Sequence, residues 1–149
     1  MKKNLPTKAG SNEYETFLRD LNLFDIHTVR SSTEVSRRRY FEVRGRKRGA
    51  LNTLMARYEL SDVGEGYFDT TSTFRLTARA ARTEKALLTI ECTLVGHFHT
   101  HGKVARDLAQ RFAESDLELI IFPYFRQFVF DTTARMSIPP ITVPLLAVQ

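Results

Sequence analysis

The sequence predicts an α+β fold: a four-stranded antiparallel sheet with helices packed on one face, a long C-terminal helix and an extended apolar arm. Three observations lead to this prediction. Residues Leu88 to Leu94 alternate strictly between apolar and polar types, which is typical of a half-buried strand. The preceding run from Tyr67 to Thr77 is rich in aromatic and β-branched residues, which favour strands. The last third of the chain changes to helical spacing, and strands followed by helices indicate an α+β domain.

The N-terminal part of the chain predicts a lead, a helix and a strand. Residues 1–12 are expected to form a flexible lead, and residues 13–149 a single domain. A short amphipathic helix is predicted to about Asn22, because four apolar residues recur at helical spacing. After it the period changes to two, which predicts a strand over 24–35. The four apolar residues are Tyr14, Phe17, Leu18 and Leu21.

Further strands are expected in the middle of the chain. The spacing over 51–60 fits both a helix and a strand, and we favour a strand because Gly64-Glu65-Gly66 can turn it into a hairpin with the aromatic-rich run. A short turn or bulged connection is expected over 78–84. The alternation that begins at Leu88 continues in phase to Phe98, so this strand is expected to be long.

The C-terminal part is expected to hold two helices and an arm. A short helix is predicted over 104–112, and residues 116–121 lead to the long helix. The long helix is predicted to begin near Pro123, since a first turn tolerates the missing N–H of proline. Pro139-Pro140 stops the helix. Apolar residues then predict an extended arm, namely Ile141, Val143, Leu145 and Leu146.

The long helix carries a resemblance to a known family. The segment begins with Phe122-Pro123-Tyr124, continues with Arg126 and the rest of the helix, and ends at Pro139-Pro140 before an apolar arm. This succession resembles the C-terminal half of the SecB chaperone family. The segment resembles more closely the SecB-like chaperones that accompany toxin–antitoxin modules. The order of strands and helices is similar to that of the family from about Phe24 to Val148. The resemblance implies a homotetramer that is built as a dimer of dimers.

The resemblance also implies a binding groove. In the SecB family a long groove of aromatic and aliphatic side chains holds unfolded polypeptide without ATP, by apolar contact and strand-like pairing at a sheet edge. The motif match implies that Tyr124 lines such a groove, and the chain has more aromatic residues than one core is expected to cover. The alternative interpretation is that these residues simply pack in the core. The predicted groove residues are Tyr124, Phe122, Phe125, Leu54, Tyr58, Phe68 and Phe74.

Two departures from the family pattern bear on function. General export SecB chaperones are acidic and end in a helix and tail that meet the secretion ATPase. This chain has a net charge of +5 and continues only to Gln149 after the arm. We therefore expect an ATP-independent holdase with a dedicated, aggregation-prone client, such as an antitoxin, in a toxin–antitoxin or defence module. The alternative within the resemblance is a general SecB-like protein-export chaperone.

The positive charge is concentrated in one basic patch that follows the first predicted strand. The patch and its Glu42 sum to +6, so the remainder of the chain sums to −1. With Tyr40 and Phe41 as stacking faces the patch would suit nucleic acid, which gives a second class of function, although no nucleic-acid motif frames it. The alternative is a solvated loop with glycine hinges. The patch consists of Arg37, Arg38, Arg39, Arg44, Arg46, Lys47 and Arg48.

The other features indicate a cytoplasmic protein with no catalytic centre, cofactor or metal. No window approaches the ~20 apolar residues of a membrane span, and the start lacks the apolar run of a signal peptide. The single cysteine, Cys92, is expected to be a small buried hydrophobe. His97, His99 and His101 alternate on one strand face and could share a metal, but without a further ligand they are expected to face solvent. The sequence contains no nucleophile elbow or phosphate loop.

Overall fold

The computed structural model describes residues 8–44, 50–80 and 85–139 together with residues 141 and 143. Within these residues the elements follow the order helix, strand, helix, three strands and two helices. They are α1 (Lys8–Asp20), β1 (Asn22–Val35), α2 (Arg37–Arg44), β2 (Ala50–Val63), β3 (Tyr67–Ala80), β4 (Ala86–His99), α3 (Arg106–Ser115) and α4 (Leu117–Arg135).

The four strands form one antiparallel sheet in the order β1-β4-β3-β2. β2, β3 and β4 follow one another as a meander, and β1 pairs with the far side of β4. The edges of the sheet are therefore β1 and β2, each of 14 residues. The turn between β2 and β3 contains Gly66, whose φ of 74° is readily adopted by glycine. The predicted α+β class and the four-stranded sheet are confirmed.

The helices pack on one face of the sheet, as predicted. Alternate residues of β3, from Phe68 to Ala78, are buried against them, and their partners on β4 are buried as well. Aromatic rings join the layers: Phe74 stacks on Phe125 of α4 with ring centroids 4.2 Å apart, and Phe68 meets Phe112 of α3 at 5.8 Å. Each buried phenylalanine contributes about 2–3 kcal/mol of transfer free energy. The opposite face, which we call the open face, is covered by no helix among the described residues.

The long helix begins earlier than predicted. α4 starts at Leu117, so the expected start near Pro123 is wrong and this proline lies inside the helix. The physical reason is that the buried face already begins at Leu117 and continues to Ile121, Phe125 and Val129, one helical turn apart. Because the Pro123 side chain is exposed, its ring does not disturb this packing.

The first helix also begins earlier than predicted. α1 starts at Lys8, so residues 8–12 of the expected lead are helical, and residues 1–7 lie outside the described part. Its Tyr14 hydroxyl donates a hydrogen bond to Asp116, between α3 and α4. The Arg111 guanidinium lies 4.0 Å from the centre of the Tyr14 ring. These contacts fix α1 to the other helices.

The basic patch is not a simple loop. Arg37–Arg44 form α2, and only residues 45–49, which include Arg46, Lys47 and Arg48, lie outside the described part. The interpretation of the patch as a loop was therefore wrong for its first half. A run without glycine or proline tolerates a helix, and the buried ring of Tyr40 anchors it, so tertiary packing decides the outcome.

The C-terminal arm returns along α4. Beyond the helix Ser137 adopts a positive φ of 54°, and Ile138, Ile141 and Val143 are buried. The Arg126 Nε donates a hydrogen bond of 2.7 Å to the carbonyl oxygen of Val143. Ile141 and Val143 of the apolar arm are thus part of the core, whereas the predicted Leu145 and Leu146 lie outside the described residues.

Candidate polypeptide-binding surface

The seven predicted groove residues separate into two groups. Four of them are buried in the core between the sheet and the helices. In the single chain these four side chains hold the helices on the sheet and offer no surface to another molecule. They are Phe68, Phe74, Phe122 and Phe125. The other three, Leu54, Tyr58 and Tyr124, reach the surface.

Leu54 and Tyr58 lie on β2 and face the helices. The Tyr58 ring meets Phe74 edge-on at 5.7 Å, and its hydroxyl donates a hydrogen bond of 3.2 Å to Glu118 Oε1 of α4. Burial, and then the adjacent carboxylate, raise the pKa of Tyr58 well above its usual value. Tyr58 therefore stays a neutral donor that ties edge strand β2 to α4.

Tyr124 lies on the other flank of α4. Phe122 and Phe125 face β3, where both rings lie near Phe74. Ile121 faces β4, because its Cδ1 lies over Gly96. Successive helical residues are rotated by about 100°, which places Tyr124 beyond Ile121 on the flank toward β1. The Tyr124 side chain is 47% exposed. The structure thus does not bring Tyr124 together with Leu54 and Tyr58.

The side of β1 that faces the helix layer is left largely uncovered. Leu23 pairs with Phe98 and Ile26 with Gly96, so both point to the same side as the helices, yet Leu23 is exposed and Ile26 only partly buried. On α4, partly buried Ile120 and Phe128 precede and follow Tyr124 by one turn. We call the apolar residues of this helix flank and of this side of β1 together the β1–α4 strip, which consists of Leu23, Ile26, Ile120, Tyr124 and Phe128.

The strip differs from the opposite flank of α4. On that flank Pro123, Arg126 and Phe130 line a recess together with Ile141 and Val143 of the arm. The arm thus occupies the apolar surface there, whereas no described residue fills the space over β1. An open apolar strip beside a long edge strand can accept an extended peptide.

Positive charge lies at the end of the strip where β1 leads into α2. The Arg37 guanidinium donates a hydrogen bond of 3.4 Å to the carbonyl oxygen of Ser137, just past the end of α4. Arg38 forms an exposed ion pair with Glu42, and Arg39 is exposed. Tyr40 is buried and cannot stack on a base, so only the exposed Phe41 of the two predicted stacking faces remains available.

Sequence reasoning missed part of this surface. Leu23, Ile26 and Ile120 were not predicted as surface residues, since an apolar residue in strand or helix phase usually indicates the core. The available signal was the imperfect apolar phase of β1, since Val29 and Val35 are out of phase with Phe24, Ile26 and Thr28. Such a strand is expected to have two incompletely buried faces.

His97 and His99 lie on the same face of β4, whereas the third predicted histidine and the cysteine lie elsewhere. His101 lies beyond the end of β4, where it pairs with Asp20, so its expected place on the strand face was wrong. The His99 ring stacks on Phe24, and the His97 ring on His27. Cys92 is buried as expected, and burial raises the pKa of its thiol to about 11. This cysteine is not a reactive nucleophile.

Comparison with known proteins identifies the fold. No protein-family model matches the chain, and no curated protein matches it by sequence. Among solved structures, the Rv1957 SecB-like chaperone of Mycobacterium tuberculosis, in complex with a ChAD peptide from the Rv1956 HigA1 antitoxin, matches with a TM-score of 0.73 and 17% identity. The match covers 93% of this chain and 99% of that chain. The chain therefore has a SecB-like fold, as its C-terminal motif predicted.

A second solved structure is more distant. A protein of unknown function from Streptococcus agalactiae matches with a TM-score of 0.48 and 8% identity, over 84% of this chain and 97% of that chain. Within the described residues, no helix has the length and apolar character needed to cross a membrane.

Proposed function

We propose that this protein is an ATP-independent SecB-like chaperone, a holdase that keeps an extended apolar segment of a client polypeptide on the β1–α4 strip. The observation that carries the proposal is the uncovered side of β1 beside Tyr124, in a fold shared with a SecB-like chaperone. Tyr124 is also the residue that the sequence motif assigned to a groove. The proposed site residues are those of the strip, with Leu54 and Tyr58 at the other edge as a secondary surface.

Two contributions would hold the client. Apolar side chains lose water against the strip, which contributes roughly 25 cal/mol for each Å² of apolar surface that is buried. The outer backbone groups of β1 can pair with an extended segment, because this strand is an edge of the sheet. Neither contribution requires a nucleotide or a chemical step, which is why we propose a holdase that is neither an enzyme nor dependent on a cofactor.

We further propose a dedicated client, an antitoxin of a toxin–antitoxin or defence module. The structurally similar SecB-like chaperone holds a peptide of an antitoxin. In this chain the exposed arginines of α2 lie at one end of the strip, which favours an apolar segment flanked by acidic residues. The alternative of a general export chaperone predicts no such preference. In either case we propose a cytoplasmic homotetramer, arranged as a dimer of dimers.

The proposal is tested by suppression of aggregation. We expect the purified protein to reduce light scattering by a chemically unfolded, aggregating enzyme without ATP, equally at low and at high salt. Tyr124→Asp is expected to reduce this activity at least about tenfold, since a charge on the strip opposes apolar burial. The matched control is Leu119→Asp, an exposed apolar residue on the opposite side of the same helix, which we expect to retain activity.

The outcomes separate the alternatives. Equal loss in both variants, with circular dichroism showing both folded, would contradict the assignment of the strip. The dedicated client would be supported if the protein suppresses aggregation of the unfolded enzyme only weakly but binds an antitoxin segment tightly. Nucleic-acid binding through α2 predicts the opposite salt response, because phosphate contacts weaken steeply as salt rises. Charge reversal of Arg37, Arg38 and Arg39 would abolish such binding.

A further inference from the structure

The open face carries a cluster of two histidines and two aspartates, on the other side of the sheet from the β1–α4 strip. Asp25 and His27 lie on β1, His97 on β4 and Asp69 on β3. We call these four residues the histidine cluster. These four residues do not belong to the proposed client surface, so client binding does not account for their arrangement.

Strand register brings the cluster together. His97 pairs with Asp25 on one side and with Asp69 on the other, so the three side chains form a row across three strands. His27 follows Asp25 by two residues and points to the same face. A register shift between Leu23 and Asp25 precedes the row. Irregularities of this kind redirect side chains at functional sites.

The polar contacts leave metal-binding atoms available. Nδ1 of His97 lies 2.5 Å from Asp69 Oδ1, so Nδ1 carries the donated proton and Nε2 keeps a free lone pair. The His27 and His97 rings are stacked with their centres 5.1 Å apart. The ligand atoms of Asp25, His27 and His97 all lie within 4.8 Å of one another.

We propose that the histidine cluster binds a divalent transition-metal ion such as Zn²⁺, with Asp25, His27 and His97 as its ligands. Two imidazoles and one carboxylate are a ligand set that Zn²⁺ accepts, and the fourth position is left for water. Asp69 is a positioning residue, because a carboxylate that accepts the other ring proton of a ligating histidine fixes the ring and raises its basicity.

The position of the site suggests its role. β1 is an edge strand, and most of its side chains are exposed, so it is joined to the protein mainly through its hydrogen bonds to β4. A metal ion coordinated by two residues of β1 and one of β4 would link these strands through its coordination bonds. The bound metal therefore stabilises the edge strand whose opposite side forms the proposed client surface.

The test uses the full-length protein without a histidine tag. Zn²⁺ binding is measured by titration calorimetry, and Co²⁺ is used as a probe because its absorption spectrum reports tetrahedral coordination. We expect one metal ion per chain, and loss of binding by at least about a hundredfold in His27→Ala and in His97→Ala. Asp69→Asn is expected to weaken binding about 10- to 100-fold, as positioning residues do. The matched control, His101→Ala, should bind like the wild type.

Thermal unfolding provides a second readout. Zn²⁺ should raise the melting temperature of the wild type and of His101→Ala, but not that of His27→Ala, because only a specific site couples binding to folding. If His97→Ala does not fold, His27→Ala decides the outcome, since its side chain is exposed. Wild-type protein that binds no Zn²⁺, or binding that His101→Ala weakens as much as His27→Ala, would overturn the proposal.

Discussion

Two buried hydroxyl groups stand out among the residues of the core. Thr70 and Ser72 of β3 are fully buried on the helix-facing side, between Phe68 and Phe74. Among the described residues neither hydroxyl oxygen has a hydrogen-bond partner. Thr133 of α4 is the contrasting case, since its hydroxyl donates to the carbonyl oxygen of Val129 at 2.9 Å and accepts from the N–H of Ile141 at 3.1 Å.

We expect Thr70→Val and Ser72→Ala to leave the free energy of unfolding unchanged or to raise it by about 1–2 kcal/mol, because an unpaired buried hydroxyl carries a desolvation cost. Thr133→Val, as the control, should lower it by about 1–3 kcal/mol because it leaves a buried N–H unpaired. Urea unfolding at one fixed protein concentration measures all three. Thr70→Val as destabilising as Thr133→Val would show that the Thr70 hydroxyl is satisfied.

Single residues also show what sequence patterns can predict. The alternation in β4 correctly predicted the buried series from Leu88 to Phe98. Successive side chains of a strand point to opposite faces of the sheet, and the helices cover only one of these faces. The aromatic residues of α4 were harder to place. Phe125 and Tyr124 are neighbours in sequence, yet one is buried and the other half exposed. Composition alone does not determine which flank of a helix meets the sheet, since this depends on where the helix crosses it.

At the scale of elements, α4 contains one residue that opposes its own helix. Pro123 lacks the N–H that would bond the carbonyl of Leu119, and its side chain is exposed. We expect Pro123→Ala to raise the free energy of unfolding by about 1–3 kcal/mol, because alanine restores this bond and has a higher helix propensity.

Thermal or urea unfolding of Pro123→Ala tests this expectation. The control is Gln127→Ala, one turn further on the same exposed side, which should change the stability by less than about 0.5 kcal/mol. A loss of stability in Pro123→Ala would mean that the contribution of the proline to the recess beneath the arm outweighs the missing bond.

Element boundaries reveal the limit of sequence reasoning here. The four strands were predicted close to their observed places, although the spacing of β2 also fitted a helix. The connection expected over 78–84 was placed too early, because β3 continues to Ala80, and residues 81–84 lie outside the described part. The helix ends were not predicted correctly, since α1 and α4 both begin before the predicted positions and α2 was interpreted as a loop. A run of arginines has no apolar periodicity, and α2 is held on the core by the buried ring of Tyr40 and by the partly buried Val43. Tertiary contacts of this kind leave no signal in a single sequence.

For the whole molecule, the open face has apolar residues that the single chain leaves uncovered. Met55 of β2 is 65% exposed and Phe24 of β1 is 72% exposed, and both lie on this face. Tyr67 of β3 is exposed there as well. Large exposed apolar residues on an uncovered sheet are typical of a surface that another subunit covers. The proposed client surface lies on the other side of the sheet, so assembly and client binding can be separated experimentally.

We expect the protein to sediment as four chains of 17.1 kDa, a particle of about 68 kDa. Met55→Lys should lower this mass to that of a dimer or a monomer, because a lysine charge placed on this face would lose its hydration when a second subunit covers it. Tyr124→Asp should keep the mass while it loses the holdase activity. The reverse result, in which Tyr124→Asp dissociates the particle and Met55→Lys does not, would assign the β1–α4 strip to assembly and the client to the open face.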